Sequence, residues 1–428
     1  MRVAVVCVLG VLGSAAAFGA SPAPVFTKDV LPILQSKCQG CHRPGEIAPM
    51  SFLTYKDVRP WAKAIREAVL VKKMPPWFAD PHYGKFRNDQ SLNQTQIDTV
   101  AAWVDAGAPE GEAKDAPPPV EFVEGWGMGQ PDLVLEMPQE FQVPASGTIP
   151  YQHFVIPTGF KEDKWVSIAE LRPGNRKLVH HALIFVRPPG SKYFADAKPV
   201  EAFVPKEDWR FGRTPYDEFL DFYVPGVGPQ ILAQGEAKLI KAGSDLIFQV
   251  HYTTNGKAGA DRSKIGLTFS KGPPAKRVYT LAVATDKFVI PPGAPDTEVQ
   301  SKFTLQHDVS VVSMNPHMHL RGKSFDYRMI FPDGRDETLL RVANYIFFWQ
   351  MPYILTDPLT LPRGTRIECT AHFDNSPNNP RNPDPKAEVR WGDQSWDEMM
   401  VGFIDVAFDA KIDVMDLFRP RKQASGGE

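Results

Sequence analysis

"KLVHHALIFV", residues Lys177–Val186, is a continuous apolar, β-branched run that ends at Arg187-Pro188-Pro189. It is too short for an ordinary globular helix and reads as a strand. The same texture recurs along the chain after about residue 130. "DLVLEM", "KWVSIAEL", "DLIFQVHYTT", "KIGLTFS", "VYTLAVAT", "DVSVVSM", "FDYRMIF", "TRIECTAHF" and "MMVGFIDVAF" are separated by Gly, Pro, Asn and Asp turns. Short runs between such turns predict β-sandwich, and this much chain suffices for two sandwiches of about 100 residues or more each. A break near Gly272-Pro273-Pro274 divides them. The 41 prolines of the 428-residue chain agree with many turns and edge strands.

Histidines sit on three of these runs. His180 and His181 are adjacent, His251 is late in its strand, and His317 and His319 are two apart in "NPHMHLRG". Residues i and i+2 of a strand share a face, so His317 and His319 can grip one ion together. Adjacent residues face opposite ways. His180 and His181 share an ion only where the backbone twists or the ion sits at a sheet edge. Singly, each is as well read as a surface or hydrogen-bonded core histidine. Together, five imidazoles and a thioether suit copper cycling between Cu(I) and Cu(II).

The N-terminal part differs. Arg2, the apolar "VAVVCVLGVL" and "GSAAAFGA", with Ala15 and Ala17 as cleavage positions, predict a signal peptide over residues 1–20. Cys7 would leave with it. The mature protein is expected to be periplasmic or secreted, with no stable membrane insertion. A formal charge of −2 gives no reason to expect nucleic acid as a partner. Residues 26–109 carry helical signals: Thr27 as an N-cap, and Asn93 with Gln96 as a capping box. Ile97, Val100 and Val104 follow as an apolar stripe, and Gly107 as a stop. "APEGEAKDAPPP" (Ala108–Pro119) reads as linker.

Within this part lies "CQGCH". C-x-x-C-H reads as covalent haem attachment, with Cys38 and Cys41 forming thioethers and His42 an axial ligand. A zinc site would need a second ligand pair, and a disulfide would leave His42 unexplained. Met74 in "VKKMPPWFADP" is the candidate sixth ligand, with Met50 and His82 as rivals. By "CQGCH", "MPPW" and "VAAWVDAGAP", residues 26–109 resemble a small cytochrome c domain.

From about residue 130 to 415 the chain resembles the copper type II, ascorbate-dependent monooxygenases, the peptidylglycine α-hydroxylating and dopamine β-monooxygenases. The resemblance rests on "LVHHALIF", "VHYTTN", "HMHLRGK" and "DEMMVGF", in that order. It implies two sandwiches with one copper each across a solvent-filled cleft. His180, His181 and His251 would bind an electron-storing copper. His317, His319 and Met399 would bind the copper at which O2 is activated, with Met400 as the alternative to Met399. Asn315, Val401 and Phe403 depart from the peptide-hydroxylating members, which argues against a C-terminal glycine peptide as substrate.

The expected fold class is multidomain, a small all-α cytochrome c domain followed by two all-β sandwich (jelly-roll-like) domains. The expected divisions are 1–20 signal peptide, 21–110 cytochrome c domain, 111–130 Pro-rich linker, 131–278 and 279–415 copper sandwiches, and 416–428 polar tail. The expected function is an exported haem c/copper oxidoreductase, an O2-dependent monooxygenase hydroxylating a C–H of a small organic substrate. One covalent haem c would relay electrons from an external donor to two copper ions. The alternative is a non-catalytic periplasmic electron-transfer or copper-binding protein.

Overall fold

The computed structural model describes residues 22–123, 125–199, 201–205 and 218–419. The expected signal peptide and most of the polar tail lie outside these residues. No described helix is long and apolar enough to cross a membrane.

Strands dominate, and one sheet runs through both halves of the β region. Its order is Leu133–Glu136, Lys264–Phe269, Lys164–Arg172, Glu236–Ile240, Lys276–Ala284, Val401–Asp409, Val309–His317, Tyr353–Leu361, with Gln230–Ile231 paired to Lys164–Arg172. The join is a short parallel pairing, Glu236 opposite Lys276 and Ala237 opposite Arg277. Two four-stranded sheets, beside a two-stranded one of Gly259–Asp261 with Phe141–Val143, complete the layers. One is ordered Gln152–Pro157, Asp245–Tyr252, Val179–Arg187, Glu218–Tyr223, and the other Thr297–Thr304, Arg366–Phe373, Gly322–Ile330, Asp336–Val342. Separate apolar cores fill the two halves, around Phe154, Ile184 and Phe248 in one and Val311, Phe325 and Ile404 in the other.

The expected fold class is therefore corrected in two respects. The β halves are not two sandwiches strung along the chain, because they share a sheet. Pairing Glu236–Ile240 with Lys276–Ala284 covers two strand edges that separate sandwiches would expose. Nor do the helices make a small all-α domain. They are short: Leu31–Lys37, Tyr55–Val58, Ala62–Leu70 and Gln94–Asp105. Between the last two, the chain lies along the β region with strand-like bonds. Asp80 N–H donates to the Arg341 carbonyl at 2.8 Å, Arg87 N–H to Ile354 at 2.9 Å, and Thr356 N–H to Lys85 at 2.9 Å. Trp77, Phe78 and Phe86 pack on the second β core beside Tyr353.

Local signals fare unevenly in the helices. The Asn93–Gln96 capping box forms, and Gly107 follows the helix at φ +88°. Trp103, fully buried, takes the core position expected of Val104. Thr27 is not a cap. The first helical turn begins at Phe26, and the Asp29 carboxylate accepts the Val25 N–H at 2.8 Å.

Gly402 shows how tightly the second half is packed. A Cβ there would sit 2.5 Å from the Cys369 Sγ and 3.0 Å from the Tyr327 ring. Gly402→Ala is expected to destabilise the protein by about 1–3 kcal/mol through overpacking. Denaturant unfolding of that variant beside the parent tests this, and an unchanged midpoint would contradict it.

Candidate metal centre

The strand quoted at the outset, Val179–Arg187, runs antiparallel to Asp245–Tyr252, and His181 lies directly opposite His251. Their register shifts between Val179 and His181. This is the irregularity two adjacent histidines need to escape the opposite-face rule. Nδ1 of His180 and Nδ1 of His181 come within 3.0 Å of each other. One ring nitrogen from each of His180, His181 and His251 lies within 4.8 Å of the other two. Nε2 of His180, Nε2 of His181 and Nδ1 of His251 are buried without hydrogen-bond partners. Buried polar atoms are ordinarily paired. Three converging imidazoles with unpaired nitrogens therefore fit a cation, and the neutral nitrogen donor set suits copper or zinc.

His317 is the last residue of its strand, and His319 follows two residues on. Each has an oxygen acceptor for Nδ1–H. For His317 it is Gln350 Oε1 at 2.6 Å, and for His319 the Asp397 carbonyl at 3.3 Å. A proton held on Nδ1 leaves Nε2 with its lone pair, and Nε2 of His319 is buried without a partner. Val401 pairs with His317. Met399 and Met400 directly precede the strand Val401–Asp409; Met400, like Met318, is 0% exposed in the core, and Met399 is half-buried.

Several neighbours carry no sequence signal. Tyr151 lies 5.5 Å from His181, 4.6 Å from His251 and 6.4 Å from His319, measured between ring centres. Phe347 lies 5.3 Å from His180 and 6.1 Å from His319. The Glu398 carboxylate, 0% exposed, accepts the N–H of His319 at 2.8 Å and of Arg321 at 2.6 Å. The resemblance implied a solvent-filled cleft between the histidine groups. Here the space bordered by His181, His317 and Gln350 is about 10 Å³, room for about one water. A larger cavity of about 280 Å³ lies alongside, lined in part by Asn315, Phe403, Met351, Asp221 and Asp405.

The C-x-x-C-H loop closes the Leu31–Lys37 helix. His42 stacks on Phe52 at 4.1 Å, and its Nδ1 lies 3.3 Å from the Met50 carbonyl. A donor Nδ1–H there frees Nε2 for iron, the arrangement an axial histidine needs. Burial pushes the Cys38 thiol up to about 12 and raises Cys41 as well. Gly226 abuts Cys41, since a Cβ there would be 3.2 Å from Sγ. Glu46 pairs with Arg176 at 2.5 Å and ties this loop to the β region. Met74 lines a separate cavity of about 710 Å³ with Trp77, Tyr83 and Phe86, and none of Cys38, Cys41 and His42 lines it. His82 is exposed and bonded to Asp80 at 2.6 Å.

Burial also sets the charge of the histidine cluster. Desolvation lowers His153 and His251 to about 3 and His180 and His317 to about 4, and it takes His181 and His319 well below the ordinary value. Unfolded histidine protonates near pH 6.5. Between about 6.5 and 4 the unfolded chain thus binds more protons, and folding stability falls as pH drops. Glu218 and Asp221, pushed up to about 7 by burial, Glu398, pushed up to about 8, and Asp261, also raised by burial, act in the opposite sense. Four carboxylates do not outweigh six imidazoles. The melting temperature of metal-free protein is expected to fall as pH goes from about 7 to about 4.5, and a flat or rising curve would contradict this.

No protein-family model and no curated protein matches the chain. Among solved structures, it is similar to the major capsid protein P2 of Bacteriophage PM2, at 8% identity and a TM-score of 0.29, covering 63% of this chain and 98% of that one. It is also similar to a structure of the infectious bursal disease virus Gx strain, at 10% identity and a TM-score of 0.19, covering 67% and 74%. Likenesses at these scores carry no argument about fold or function.

Proposed function

We propose that the chain is a copper-dependent oxidoreductase, a monooxygenase that hydroxylates a C–H bond of a small organic substrate. It carries haem c on Cys38 and Cys41 as an electron relay from an external donor. The observation that carries this reading is the gathering of His180, His181 and His251, beside a register shift, with one ring nitrogen of each within 4.8 Å of the other two and one buried nitrogen on each ring unpartnered. His317, His319 and Met399 supply the second ligand set. Copper bound to such sets exchanges single electrons and, where a coordination position is open, activates O2.

The chain's own groups do the rest. Gln350 and Asp397 fix the tautomers of His317 and His319. Glu398 pins the backbone that presents His319. Phe347 and Tyr151 keep water from the histidines. The 280 Å³ cavity beside Asn315 and Phe403 holds the substrate. Its lining includes Gly226, the residue against Cys41, and Asn315, two residues before His317.

A second reading, an electron-transfer or copper-binding protein without turnover, is favoured by the narrow gap between His181 and His317. O2 consumption by haem-matured, copper-loaded protein, with a chemical reductant and a panel of organic substrates, separates the two. The monooxygenase reading expects uptake that needs both copper and a substrate. Copper-loaded protein that reduces and reoxidises without substrate-dependent uptake would leave the second reading standing.

A further inference from the structure

We infer that the five imidazoles form one two-metal centre, in which the two ions sense each other, rather than two independent sites. This rests on the copper reading above and concerns how the ligands are arranged. Tyr151 and Phe347 each neighbour both groups. Tyr151 has His181 and His251 of one group and His319 of the other within 6.4 Å of its ring centre. Phe347 has His180, His181 and His251 of one group and His319 of the other, none farther than 6.2 Å. The two groups thus share the same two aromatic neighbours. His181 and His317 border one gap of about 10 Å³. The hydroxyl of Tyr151, a neighbour of both groups, is buried and has no hydrogen-bond partner.

Contacts across the gap hold this closure in place. The Tyr151 N–H donates to Gln394 Oε1 at 3.3 Å, joining the first β half to the loop that precedes Met399. Phe219 and Phe403 stack at 5.5 Å, one from each half. The shared sheet makes the two halves one body at that seam. Two consequences follow. The substrate sits beside the centre, in the cavity at Asn315 and Phe403, because none fits between the groups. The second cation also enters a pocket already holding a positive charge with little water to screen it, so it binds more weakly than the first.

The test is a copper(II) titration of the full haem-matured chain, followed by metal analysis and electron paramagnetic resonance. The expected result is uptake in two unequal steps. The copper signal grows through the first equivalent and falls below that value during the second, with a half-field transition appearing as coupled pairs form. His319→Ala should stop at the first step and keep the ordinary uncoupled signal. A signal that doubles with the second equivalent, or uptake of a single copper, would overturn the shared centre while leaving copper binding intact. No copper uptake at all would overturn the copper reading and this inference with it. The wild-type titration decides without the variant, should the variant fail to fold.

Discussion

His181→Ala is expected to strip the protein of its first copper and to leave one ion at the second site. Its imidazole is 1% exposed, lies opposite His251 and belongs to the group whose ring nitrogens gather within 4.8 Å. Loss of a group that merely supports a ligand costs about 10–100-fold in metal affinity, and loss of a ligand itself should cost more. Equilibrium dialysis with copper would then read about one ion per chain in place of two. Alanine also leaves a hole beside Tyr151 and Phe347, so circular dichroism must show the variant folded. A folded His181→Ala that holds both ions at parental affinity would remove this histidine from the site.

Glu398→Ala is expected to have the next largest effect, through a residue that binds nothing itself. Its two carboxylate oxygens accept the backbone N–H groups of His319 and Arg321, and it directly precedes Met399. Alanine leaves both amides buried and unpaired. At about 1–3 kcal/mol for each unsatisfied buried group, the destabilisation should reach about 3 kcal/mol or more. The H-x-H loop loses its anchor, so the affinity of the second site should drop by about 10–100-fold while the first is nearly spared. Glu398→Gln, which keeps one acceptor, should fall between parent and alanine in both readouts. Equal loss at the two sites would mean that Glu398 supports the fold at large and not this ligand set.

The two variants differ in how visible their targets are in the sequence. His180, His181, His251, His317 and His319 stand out because their runs read as strands; the first four lie on strands, and His319 lies two residues past the end of one. The condition under which His180 and His181 could converge follows from the period of a strand, but the register shift that meets it depends on the partner strand. Tyr151, Phe347 and Gln350 reach the site from loops and strand ends whose own sequence carries no pattern, and Glu398 lies within "DEMMVGF" without any mark of its bonds to His319 and Arg321.

The same contrast governs the fold. Tyr353–Leu361 is hidden because Pro358 interrupts it, which is tolerated where the strand lies at the sheet's edge. The parallel join of Glu236–Ile240 to Lys276–Ala284 involves two residue pairs, and no local rule selects that partner over a free edge. The helical signals in residues 26–109 were read correctly as helices at Asn93–Gly107. They gave no sign that the stretch from Trp77 to Arg87 would bond to the β region and deny the helices a domain of their own. Periodicity reports which side of an element is apolar. It does not report what covers that side.

Metal analysis of haem-matured protein, purified from copper-replete conditions, decides whether the histidines bind copper. About two copper ions are expected for each haem iron, with the iron retained after denaturation because it is covalently held through Cys38 and Cys41. Protein that folds, carries haem and holds no copper would contradict this, and the five buried histidines would then need another explanation.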